Sequence, residues 1–160
     1  MPLTIDKNQY HVFLEAVKNR ILKAQYDALK VVNKELIALY WDLGKMIIEK
    51  QETLGWGKSV VENLASDLQK EFPGISGFSY RNLWYMRNFY LTYKVNQKMQ
   101  PLVAEISWTK NVVIMEKCKD DLEKEFYIKM TKKFGWLKMS LFIKLRTSCM
   151  KNSYLDRQSI

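Results

Sequence analysis

From about Arg20 to Lys50, apolar residues return every seven positions. Leu22, Leu29, Leu36 and Leu43 share one register, and Val32, Leu39 and Met46 follow three residues behind, with Gln25 the polar exception. Gly44 is the only glycine in this stretch, and no proline interrupts it. The repeat predicts a long helix with a continuous seam. Tyr40, Trp41, Ile47 and Ile48 widen the stripe beyond a strict two-helix seam, which favours packing against the chain's own later helices. The alternative is a homodimer held through Leu22, Leu29, Leu36 and Leu43, with Gln25 helping to set register.

Gly55-Trp56-Gly57 breaks this helix. A second follows on Val60, Leu64, Leu68 and Phe72, with Val61 and Ala65 beside them, and ends at Pro73-Gly74. Ser79 is a good N-cap for a third helix, with Phe78 and Leu83 at the two staple positions and Leu83, Met86, Tyr90 and Tyr93 as the inward stripe. Residues 94–101 are polar, end in Pro101 and read as a loop or linker. Ser107 is placed to cap a short helix from Trp108 through Val112 and Met115. Asp120-Asp121 opens a further helix on Leu122, Phe126, Met130 and Phe134, with Lys132-Lys133 in its last turn and Gly135 closing it. Leu137, Leu141, Leu145 and Cys149 mark a final helix that fades into a polar tail. The expected fold is all-α: a long N-terminal helix, a helix-turn-helix-like pair, and a smaller C-terminal helical part. One domain over residues 1–150, with a subdivision near 94–101, precedes a tail at 151–160.

Composition sharpens this picture. Apolar residues make up 48% of the chain, enough for a core, while six glycines and three prolines are few for a sandwich or barrel. The net charge of +9 is unevenly placed. Residues 1–80 balance ten basic against ten acidic residues, whereas residues 81–160 carry sixteen against seven. A one-sided positive field concentrates polyanions, and nucleic acid is the commonest such partner. A solvated, lysine-rich face kept for solubility is the plainer reading of the same charge. No apolar run is long enough to span a bilayer and residues 1–10 contain no secretion signal, so a cytoplasmic protein with no membrane partner is expected.

The second and third helices, joined through a glycine-containing turn, resemble a helix-turn-helix, although the turn from Pro73 to Gly77 is longer than the tight form. In that geometry Ser79, Tyr80, Arg81, Asn82 and Tyr85 face the major groove, with Arg87 near the boundary. Arginine bridges two guanine acceptors, asparagine pairs with adenine, and a serine at a helix N-terminus meets phosphate. The aromatic run of Trp84, Tyr85, Phe89, Tyr90 and Tyr93 has helical spacing and reads as core more readily than as a stacking platform. Lys110, Lys132 and Lys133, with Lys117, Lys119, Lys129, Lys138 and Lys144, suit phosphate contact without base choice.

Catalysis finds little support. His11 is the only histidine and reads as a surface residue, and neither Cys118 nor Cys149 has a nearby Cys or His, so neither metal nor cofactor is expected. Gly57-Lys58 lacks the upstream glycine of a phosphate-binding loop. The chain has no Asp/Glu-x-Lys tripeptide of the kind that Mg²⁺-dependent nucleases use.

The run LIALYWDLGKMI at 36–47, then GWGKSVVENLASDLQKEFPGISGFSYRNLWYMRNFY through Tyr90, is similar to the N-terminal domain of YhcG-type PDDEXK nuclease proteins. The later pieces ISWTKN, DLEKEFYIKM and Gly135-Trp136 resemble the same domain's second half. The resemblance covers roughly residues 15–136. It implies a helical domain that binds DNA in front of a C-terminal nuclease domain. Leu137 stands where that family opens a helix on a capping serine or threonine, and the chain stops where the nuclease domain would begin. The expectation is therefore a non-catalytic DNA-binding module, with a separate nuclease subunit as a partner to be sought. A helical assembly domain is the alternative.

Overall fold

The computed structural model describes residues 6–147, and all regular structure among them is helical. In chain order the helices are α1 (Lys7–Leu54), α2 (Lys58–Glu71), α3 (Tyr80–Tyr93), α4 (Gln100–Val103), α5 (Trp108–Lys117), α6 (Asp121–Phe134) and α7 (Lys138–Arg146). Cys149 and the tail at 151–160 lie outside the described residues.

The all-α expectation holds, and local chemistry explains most boundaries. Asp6 caps α1 by accepting from the Asn8 N–H, and Gly55 closes it with φ 64°, a left-handed conformation that favours glycine. The Ser79 hydroxyl accepts from the Asn82 N–H at the start of α3. At α6 the capping is reciprocal: Asp120 accepts from the Glu123 N–H at 2.8 Å, and the Glu123 carboxylate accepts from the Lys119 N–H at 2.9 Å. Gly135, φ 60°, ends α6. Ser107 precedes α5, but its hydroxyl accepts no capping hydrogen bond from the backbone. The segment at 94–101 is a set of turns rather than a linker. Pro101 sits in the first turn of α4, where a missing N–H costs nothing, and Met99 is wholly buried. Met99 and Val103 join the same core as Leu83 and Ile114.

α3 is the central helix. Leu83, Met86, Phe89 and Tyr93 on it are completely buried, and α1, α2 and α5 all pack against it. Phe89, not Tyr90, completes its inward stripe; Tyr90 is half-buried and meets Trp41 edge-on at 5.1 Å. Of the aromatic run, Phe89 and Tyr93 are core, while Trp84 and Tyr85 pack half-buried against it. The closest approach is at Gly44 of α1. A Cβ built there would lie 2.1 Å from the Met86 carbonyl oxygen, so only glycine lets α1 and α3 cross at this distance.

The expected inward faces need three corrections. On α1 the packed side chains are Asn33, Ile37, Tyr40, Trp41, Gly44, Ile47, Ile48 and Gln51, not the leucine seam. Leu22 and Leu29 are 61% and 69% exposed, Leu36 is exposed, and only Leu43 is half-buried. Leu22 and Leu29 lie on the stretch of α1 that runs past the other described helices, so their exposure reflects the lack of a neighbour rather than a turned face. On α2 the buried residues are Val61 and Ala65, while Leu64 and Phe72 are exposed. On α6 they are Tyr127, Ile128 and Thr131, whereas Leu122 and Phe134 stand in solvent. In α2 and α6 alike the true face lies about one residue C-terminal to the series of every fourth residue, because 3.6 residues per turn rotates such a series off the core.

Candidate nucleic-acid interface

The first turns of α3 form one wall of a groove whose other walls are α5 and α7. Arg81, Tyr85, Glu116, Lys117, Lys138 and Phe142 line it, around a space of about 460 Å³. Arg81 donates through Nε to the Tyr85 hydroxyl at 3.0 Å, and that hydroxyl donates to Glu116 Oε1 at 2.6 Å. The Glu116 contact comes first among the influences that push the Tyr85 phenol above its ordinary value. Glu116 therefore serves as an acceptor fixed by Tyr85. The groove presents Arg81, Lys117 and Lys138 against this one engaged carboxylate.

The residues expected to read bases separate into different roles. Ser79 is spent on its cap. Asn82 is spent inside the protein: its amide nitrogen donates to the Gly77 carbonyl, and its oxygen accepts from Trp108 Nε1 at 2.7 Å. It is half-buried and its hydrogen-bonding capacity faces inward. Arg87 donates to Gln51 Oε1 of α1 at 2.7 Å and lies over the Trp84 ring at 4.9 Å, so it ties α3 to α1. Tyr80 is half-buried and packs edge-on with Trp84. Arg81 and Tyr85 remain at the groove. α3 is thus a core helix with one accessible corner, not the exposed second helix of the motif it resembled.

The lysines divide as well. Lys132 belongs to a separate cluster, in which Lys34, Lys132 and Lys30 stand 3.3, 3.4 and 3.8 Å from the carboxylate of Glu105. Burial works to raise the Glu105 carboxyl, but Lys34 and Lys132 outweigh it and hold it below its ordinary value. Lys110 is half-buried on α5, and Lys133 is exposed with its ammonium over the Phe134 ring at 5.3 Å. Lys129 pairs with Glu125. By contrast Lys117, Lys119, Lys133, Lys138, Lys144 and Arg146 have no carboxylate within 4.0 Å among the described residues. They lie on the ends of α5 and α6, the loop between them, and α7. Lys117 lies over Phe142 and Lys144 over Trp136, at 5.4 and 4.7 Å.

Glu116 and Phe142 carry no sequence signal that would single them out, since only the packing of α5 on α3 brings Glu116 to Arg81 and only that of α7 on α5 adds Phe142. Cys118 is buried and free, and burial, the largest cause, pushes its thiol up to about 12, far from a reactive thiolate. His11 is exposed on α1. Among the described residues no group of three or more His, Cys, Asp or Glu is arranged to hold a metal ion, and no helix is long and apolar enough to cross a membrane.

These features sit in a known class of helical domain. Residues 16–152 match the model of the DUF1016 N-terminal domain, and the chain belongs to that family. No curated protein and no solved structure matches it significantly.

Proposed function

We propose that this domain is a non-catalytic nucleic-acid-binding module, DNA being its main target, that holds the backbone more than it reads the bases. The observation that carries this is the unneutralised basic surface running from the groove of Arg81, Lys117 and Lys138 to Lys133, Lys144 and Arg146. Among the described residues no carboxylate lies within 4.0 Å of these four lysines or of Arg146, and their gathering on α5, α6 and α7 sets them apart. Lysine ammonium groups meet phosphate as point charges and give affinity without sequence choice. The aromatic rings under Lys117 and Lys144 add faces on which an unstacked base can rest. The resemblance to YhcG-type proteins supports the same reading and adds a nuclease, on a separate subunit or domain, as the functional partner.

The test is gel retardation of duplex and single-stranded DNA across a salt series. Contact with several phosphates gives a log–log slope of roughly −0.9 per contact on duplex DNA. Absence of retardation even at low salt overturns the proposal. Assembly is the second reading, favoured by the uncovered first half of α1.

A further inference from the structure

Residues 7–32 of α1 extend past the helices that pack on its second half. Every large apolar side chain on this arm is exposed, including Val12, Phe13, Ile21, Tyr26 and Leu29 at 52–70%. An isolated helix gains little stability from propensity alone, and a helix with this much apolar surface is ordinarily covered. The exposure is also organised. Leu14, Val17, Ile21, Val32, Leu39 and Met46 are separated by three, four, eleven, seven and seven residues, and all six are exposed. At 100° per residue they share one face, about 110° around α1 from the Tyr40–Gly44–Ile47 face that meets α3. From Tyr10 to Met46 this stripe runs about 54 Å at 1.5 Å per residue.

At its C-terminal end the stripe enters a cleft. Met46 and Leu43 of α1, Trp56 of the connecting turn, and Val60, Leu64 and Leu68 of α2 enclose about 320 Å³, with an almost wholly apolar lining. The helices α1 and α2 stand apart here, and both of them rest on α3 instead. A cleft of this size and character fits one or two large apolar side chains.

We infer that the occupant is the α1 arm of a second copy of this chain, lying antiparallel. Three observations select it. An antiparallel partner centred on Ala28 sets Val17 against Leu39, Phe13 against Leu43 and Tyr10 against Met46. Ala28 and Ala24, both exposed and both small, let the axes approach at the centre. The same register sets Val32 opposite Ala24. It also delivers Tyr10 and Phe13 to the partner's cleft, beside Met46, Trp56 and Leu64, which a parallel pairing of the arms would not reach. The arrangement is two-fold and closed: each copy gives an arm and receives one. A stripe of this length buries an area of the order of 800 Å² per partner that stable interfaces require.

Sedimentation of the full chain at tens of micromolar gives a dimer. Ile21→Asp, on the exposed part of the arm before the Lys30–Glu105 ion pair, gives a folded monomer with unchanged far-ultraviolet circular dichroism for the body. Orientation is read by cysteine cross-linking in a background with Cys118→Ala and Cys149→Ala. A mixture of the Val17→Cys and Leu39→Cys chains forms the mixed disulfide, while Val17→Cys alone forms none. A wild-type monomer, or ready cross-linking of Val17→Cys to itself, overturns the inference. Should the cysteine background fail to fold, spin labels at the same two positions in the native chain report the same pairing.

Discussion

The indole N–H of Trp108 donates to Asn82 Oδ1 at 2.7 Å, and Asn82 in turn holds the Gly77 carbonyl. The residue best suited by type to recognise adenine is therefore the joint between α5, α3 and the turn before α3. Asn82→Ala removes the partner of the Trp108 N–H and of the Gly77 carbonyl in a half-buried site. The expected cost is about 1–3 kcal/mol for each orphaned group, less whatever water recovers. Urea unfolding measures it. DNA affinity, read under conditions where the variant is folded, should fall little and equally for all sequences.

Arg81 gives the complementary test. It remains at the groove, tethered only by Tyr85 and by an edge of cation–π contact at 5.5 Å. If this corner of α3 meets only backbone, Arg81→Ala weakens preferred and random duplexes alike. A loss of about 1–3 kcal/mol confined to preferred sites would instead assign it to base recognition. Competition binding against random DNA distinguishes the two.

Charge reversal on the unpaired basic surface should act more strongly. Lys138→Glu with Lys144→Glu is expected to lower affinity for every sequence and to flatten the salt slope by roughly two contacts' worth. Lys132→Glu, at a lysine already engaged by Glu105, should affect binding less and stability more.

Gly44→Ala tests the crossing of α1 on α3. Its Cβ meets the Met86 carbonyl, part of a rigid helix backbone, so the helices must move apart. A cost of about 1–3 kcal/mol or more is expected. Gly74→Ala, where a Cβ meets nothing within 4 Å, serves as the control and should change the urea midpoint little.

Acid sensitivity follows from two carboxylates. Glu105 is held low by Lys34 and Lys132 against the effect of burial. Asp121 is held low first by the Asn96 amide, then by Lys124, again against burial. A folded-state pKa below the unfolded one gives stabilisation that is complete above the ordinary value of about 4, and that disappears as pH falls through the folded value. Stability should therefore fall below about pH 4, and Glu105→Gln should lose part of that dependence while being less stable at neutral pH. Thermal melts at several pH values check the sign.

Helix positions were legible in the sequence because they depend on neighbours within a turn or two. Asp120 with Glu123, Ser79, Gly55, Gly135 and the Pro73-Gly74 stop all act through local hydrogen bonds or φ angles, and each stands at a boundary. The uneven charge and the core character of the aromatic run were equally readable. Which face of a helix turns inward was not, because exposure depends on distant partners. The seven-residue leucines suggested a seam, yet the first half of α1 runs past the other described helices, so Leu22 and Leu29 meet none of them. Asn82 and Arg81 differ by one position and have opposite fates, since Trp108, twenty-six residues on, claims one and leaves the other. Only the packed structure sets such long-range pairings, because a hydrogen bond across 26 residues leaves no periodicity in the chain.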